Sequence, residues 1–169
     1  MLGIERAVIV GQSMGGNLAQ GTAYEHPELV EKLVLIGCTN NAGTLSHVER
    51  LSLAIAGPLL RCIPWTTLVN QAVKVISIRE DTQAYARECF EVIGKKTFID
   101  AFVSLAASLK PDPDYRLPVP TLLIVGAQDT SGNILKIANS WAESDDNNKL
   151  SWISSKILMS KSCVISREQ

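Results

Sequence analysis

Apolar residues in this chain follow two patterns: short continuous runs closed by glycine, and longer stretches where they recur every three or four positions. The first run, Ala7-Val8-Ile9-Val10, stops at Gly11, and Leu18, Ala19, Thr22 and Ala23 then follow at helical spacing. This predicts a strand and a helix over Gly16 to Glu25, ending at His26-Pro27 because proline disfavours helical geometry in the residue before it. A second run, Leu33-Val34-Leu35-Ile36-Gly37, reads as a strand covered on both faces. Two strands separated by a helix predict a right-handed parallel crossover.

No strand-like run occurs from Asn40 to about Pro113. Helices are predicted there over Leu45–Ala56, Thr66–Ser77, Asp81–Ile93 and Thr97–Leu109, with breaks at Gly57-Pro58, Ile63-Pro64, Gly94 and Pro111. The sheet pattern then resumes with an extended lead-in, Leu117-Pro118-Val119-Pro120, and a third buried strand, Thr121 to Gly126. A short helix over Ile134–Trp141, a solvated loop over Glu143–Lys149 and the start of one more strand at Leu150–Ile153 complete the pattern. The expected organisation is α/β, with core segments at 1–43 and 115–150, a helical insertion at 44–114 and a tail at 151–169.

Composition narrows the functional classes. Sixteen basic residues against 17 acidic ones leave a net charge of −1, and no basic block is present, which argues against a nucleic-acid partner. No apolar stretch has the length of a membrane helix, and the start lacks signal-peptide regions, so no membrane partner and a cytoplasmic setting are expected. Cys38, Cys62, Cys89 and Cys163 form no C-x-x-C pair and read as reduced, buried thiols. Neither a metal nor a cofactor is expected.

The chemistry gathers at Gly11-Gln12-Ser13-Met14-Gly15, the G-x-S-x-G spacing of a nucleophile elbow between a strand and a helix. A sharp turn there would lift the Ser13 hydroxyl off the top of the sheet, with Gly11 and Gly15 expected where any Cβ would collide. A serine hydroxyl needs an imidazole to take its proton and a carboxylate to hold that imidazole. The N–H of Met14, at the start of the helix, is expected to form half of an oxyanion hole. Asp129 follows three residues past the glycine of the third strand, and Asp129-Thr130-Ser131-Gly132 is equally good turn chemistry.

Three motifs, Val8 to Gly16, His26-Pro27-Glu28 before Leu33 to Gly37, and Pro120 to Asp129, together resemble the α/β-hydrolase fold, in particular small bacterial members with a helical cap. The resemblance implies a partial parallel sheet with an inserted all-helical cap, a small acyl substrate, Ser13 as nucleophile and Asp129 as the acid that orients a histidine. It also implies a histidine after Asp129, and the sequence has none there. His26 and His47 are the only histidines, both upstream, and both read as structural. The tail after Leu150 reads like a shifted frame, and few residues precede the first strand, whose open edge is expected to invite self-association. Two readings follow: a serine hydrolase with lost or weak activity, or a non-catalytic fragment that binds an apolar ligand or a partner.

Overall fold

A computed structural model of the chain describes residues 3–77, 79–127, 134–143 and 150–155. They divide into two units: the described residues up to Thr44 with those from Ser108 onward, and Leu45–Ala107 between them.

The first unit is built on a parallel sheet. Its strands are β1 (Ala7–Gln12), β2 (Val30–Ile36), β3 (Thr121–Gly126) and β4 (Leu150–Ser155), hydrogen-bonded in that order. Register runs Val10 against Val34, Leu35 against Leu123 and Ile124 against Ile153, so the C-terminal ends of all four strands share one edge. Helix α1 (Met14–Glu25) joins β1 to β2 through a single 3-10 turn at Pro27–Leu29. Ala19 and Ala23 of α1 pack with Leu33, Leu35, Leu123 and Val125. The helix after β3 (Ile134–Glu143) adds Ile134, Ala138 and Trp141 to the same cluster. Both helices therefore cover one face of the sheet. On the other face Val8 and Val10 are exposed and Val34, Ile36, Leu122 and Ile124 are half-buried, so β2 is covered less evenly than its apolar run predicts.

The second unit holds α2 (His47–Cys62), α3 (Trp65–Ile76) and α4, assigned over Glu80–Ser108, whose last residue belongs to the first unit. We number the helix over Ile134–Glu143 α5. Val69, Val73 and Ala86 form the unit's small core with Trp65 and Phe90, and the rings of Trp65, Phe90 and Phe98 lie 5.5–6.3 Å apart, edge to face or steeply tilted. Ser46 and Glu49 cap α2 reciprocally, each side chain accepting from the other's backbone N–H. At the other end Lys95 Nζ donates to the carbonyls of Arg61 and Ile63 at 2.7 Å, satisfying groups a helix C-terminus leaves open.

Among the predicted helices, the boundary that moves furthest is the end of α2. Helix α2 continues through Gly57-Pro58 to Cys62 instead of stopping at Ala56. Gly57 is buried, and a Cβ there would stand 3.0 Å from Val103 of α4. Packing between two helices thus carries the helix past residues whose local preference is to end it. The break at Gly94 is where the pattern puts it: φ 75 and ψ 160 interrupt α4 within its assigned span.

Candidate active site

The end of β1 places Ser13 at the shared C-terminal edge of the sheet. Ser13 adopts φ 48 and ψ −120 and is the one non-glycine residue with positive φ among the described residues. Such a conformation costs a side-chain-bearing residue about 1–3 kcal/mol and persists where the surroundings over-determine it. They do so here from both sides. The Ser13 N–H donates to the Ile36 carbonyl of β2 at 2.9 Å, while the Ser13 carbonyl accepts from Gly16 N–H at 2.9 Å and Asn17 N–H at 3.2 Å. The Ser13 hydroxyl makes no capping bond to the helix, and the residue is exposed.

Glycine makes this turn possible, though at positions only partly those expected. A Cβ on Gly11 would stand 2.3 Å from the Gly15 carbonyl oxygen, a collision with backbone. At Gly15 a Cβ would meet nothing within 4 Å, so the expected clash there is absent. Gly16 carries the second constraint: its Cβ would lie 2.6 Å from Cys38 Sγ. Met14 opens α1, where backbone N–H groups lack intrahelical partners and the helix dipole favours negative charge. Met14 itself is 44% exposed.

Beneath the turn lies an amide cluster that sequence reading missed. Asn17 and Gln20 are buried on α1, and their side chains reach the chain leaving β2. Asn17 Nδ2 donates to the Thr39 carbonyl at 3.2 Å, to Thr39 Oγ1 at 3.1 Å and to Asn41 Oδ1. Gln20 Nε2 donates to the Thr39 carbonyl at 2.8 Å, and its Oε1 accepts from Asn41 N–H at 3.0 Å. The available signal was two amides at i and i+3 on the face that also carries Ala23. Cys38, beside Gly16, is buried, and burial pushes its thiol up to about 12, against a smaller opposing effect of the Gln20 amide. Cys62, expected to be buried, is exposed, and Cys89 is half-buried; these three thiols are free.

Asp129 lies outside the described residues. Strand β3, which leads toward it, ends at the same edge as β1 and β2, where Gly37 N–H donates to the Ile124 carbonyl at 2.9 Å. His26 sits at the C-terminal end of α1, about 20 Å along the helix from Ser13, and faces Glu28 at 3.3 Å. His47 is the exposed first residue of α2, in the other unit. Among the described residues no three His, Cys, Asp or Glu side chains group as metal ligands. Among them, too, no helix is long and apolar enough to cross a membrane.

The sequence and the parallel-sheet fold both have counterparts in known proteins. The family model described as "Serine aminopeptidase, S33" matches residues 3–147. The chain belongs to this family of α/β hydrolases. Over 141 residues this chain is 31% identical to a 2-hydroxy-6-oxononadienedioate/2-hydroxy-6-oxononatrienedioate hydrolase of Burkholderia vietnamiensis, covering 76% of this chain and 48% of that protein. Among solved structures, a hydrolase from Pseudomonas aeruginosa superposes with TM-score 0.68 at 18% identity, covering 90% of this chain and 58% of that one. A 2-hydroxy-6-oxo-6-phenylhexa-2,4-dienoate hydrolase from a Rhodococcus species gives 0.62 at 20% identity, covering 90% and 56%. The α/β-hydrolase chain thus spans about half the length of the curated relatives it matches.

Proposed function

We propose that Ser13 is the nucleophile of a serine hydrolase that acts on small acyl substrates, such as esters and thioesters, through an acyl-enzyme. The observation that carries this reading is the left-handed backbone of an exposed serine at the junction of β1 and α1. Ser13 Oγ would attack the acyl carbon as its proton leaves to a base, and the resulting oxyanion would accept from the Met14 N–H. Collapse would expel the leaving group with a proton, and water would then release the acyl group and restore the hydroxyl. The substrates named for the curated relatives carry a 6-oxo group, a carbonyl of the kind Ser13 would attack, so 2-hydroxy-6-oxo acids are the first compounds to assay.

The role proposed for Asp129 is to orient a histidine, and the 169 residues hold none after it. This chain by itself is therefore expected to turn over weakly or not at all. In triad enzymes stripped of one member, binding and oxyanion stabilisation still leave about 10³–10⁴-fold acceleration over water. Treatment of the purified chain with a fluorophosphonate, followed by mass spectrometry, tests the assignment. Adduct on Ser13 that disappears in Ser13→Ala supports it. No adduct in folded protein sinks it and leaves the second reading, a module that binds an apolar ligand or a partner. That reading has its own support in β1, which like β4 is an edge strand of the described sheet, and on which Val8 is 49% and Val10 63% exposed. The proposed partner is a second copy pairing along that edge; sedimentation that shows a monomer at all concentrations rejects it.

A further inference from the structure

Ser13 lies on a closed circuit of hydrogen bonds. From Ser13 N–H the circuit passes to the Ile36 carbonyl at the end of β2. It follows the chain through Gly37 and Cys38 to Thr39 and Asn41, then crosses to α1 through the side chains of Asn17 and Gln20. Asn41 Nδ2 also donates to the Asn17 carbonyl at 2.8 Å, so the crossing is made in both directions. The circuit closes where Asn17 N–H reaches the Ser13 carbonyl. Asn17 is 5% and Gln20 3% exposed, while their partners Thr39 and Asn41 are half-buried, so these bonds are partly shielded from water. A strained residue needs this kind of enclosure, because a φ of 48 relaxes as soon as the segments on either side can shift.

We infer that Asn17 and Gln20 are positioning residues for Ser13: by tying the first turns of α1 to the 39–41 segment, they hold the elbow in its left-handed conformation. The inference rests on the reading of Ser13 as nucleophile. Its physical content, that the amide cluster controls the Ser13 backbone, can be measured without any chemistry at the hydroxyl. Neither side chain reaches the reacting atoms; both act through the peptide that carries them.

The test replaces each amide by an apolar side chain of similar volume, Asn17→Leu and Gln20→Met, with Thr22→Val as control. The Thr22 hydroxyl bonds only the Leu18 carbonyl on the outer face of the same helix. Amide hydrogen exchange is followed at Ser13 and at Leu123 in β3, in protein shown by circular dichroism to be folded. Exchange at Ser13 is expected to quicken roughly tenfold or more in both variants, with Leu123 and the control unchanged. Fluorophosphonate labelling of Ser13 should slow by roughly tenfold to a hundredfold in the same variants. If exchange rises equally at Ser13 and Leu123, in step with a lower melting temperature, the amides are merely structural and the inference falls. It falls also if Ser13 exchange does not move. Absence of labelling in the parent chain removes the nucleophile reading alone, since the exchange comparison still decides the positioning role. Should Asn17→Leu not fold, Gln20→Met, which leaves the Asn17 bonds in place, is read by itself.

Discussion

The two units of the chain bury their apolar residues in different ways. In the sheet unit Leu33, Leu35, Leu123 and Val125 are at most 1% exposed. In the helical unit Val48, Leu51, Ile55 and Leu59 of α2 are 74%, 63%, 52% and 57% exposed, and the buried cluster is small. An inner parallel strand has backbone-bonded neighbours on two sides and a helix above, so its environment follows from the ladder. A helix satisfies its own backbone and buries only the stripe that meets another helix. Backbone-level fit therefore dominates the first unit, while caps, single side chains and one glycine dominate the second.

Gly11→Ala attacks the first unit at its tightest point, and a loss of about 3 kcal/mol or more is expected because backbone atoms of Gly15 and Gly16 block the new methyl. Gly15→Ala, two residues past Ser13, should instead be neutral or stabilising by about 0.5–1 kcal/mol. Urea denaturation of the two variants checks this contrast, and equal effects would break it. In the helical unit the counterpart is Gly94→Ala. A methyl there meets no atom, yet φ 75 with ψ 160 is a region nearly reserved for glycine, so a loss of about 2 kcal/mol is expected without any steric clash.

Cys38 sharpens the comparison through pH. An unfolded thiol ionises near 8.5, whereas burial raises Cys38 to about 12 in the fold. Its contribution is fully present below the unfolded value and is lost as pH rises toward the folded one, because only the unfolded chain has released the proton. The slope is about 1.4 kcal/mol per unit between those limits, read as the difference in alkaline unfolding between the parent and Cys38→Ala. Exposed Cys62 should alkylate under native conditions while Cys38 stays protected. Smallest is Ser46→Ala, which removes one half of the α2 capping box and should cost about 1 kcal/mol, seen as a modest fall in melting temperature.

Much of the fold was legible because its signals are local. Continuous apolar runs, Gly11 before the elbow and Gly94 inside the helical insertion each announce a backbone event at their own position. The second glycine of the elbow misled, since Gly15 and Gly16 adjoin and only the approach of Cys38, from another strand's end, selects Gly16. The continuation of α2 past Pro58 was hidden for the same reason: Val103, which packs at Gly57, lies far along the chain. Asn17 and Gln20 look like ordinary helix amides until the partners contributed by Thr39 and Asn41 are known. Ser13 was legible from its flanking residues, whereas the bonds that hold it come from β2.

The order of the strands in space has a consequence for how the chain is made. Strands β1 and β2 are neighbours in sequence and can pair as soon as α1 closes, but β2 meets β3 only after the stretch from Ile36 to Thr121 has been synthesised. At ordinary translation rates that wait is on the order of ten seconds. For a loop of roughly eighty residues, closure costs about 2–3 kcal/mol more in entropy than for a tight connection. Early folding of α2, α3 and α4 would shorten the effective loop and the wait for docking. Until β3 arrives, the edge of β2 that β3 will cover stays open, which exposes it to unintended pairing during synthesis.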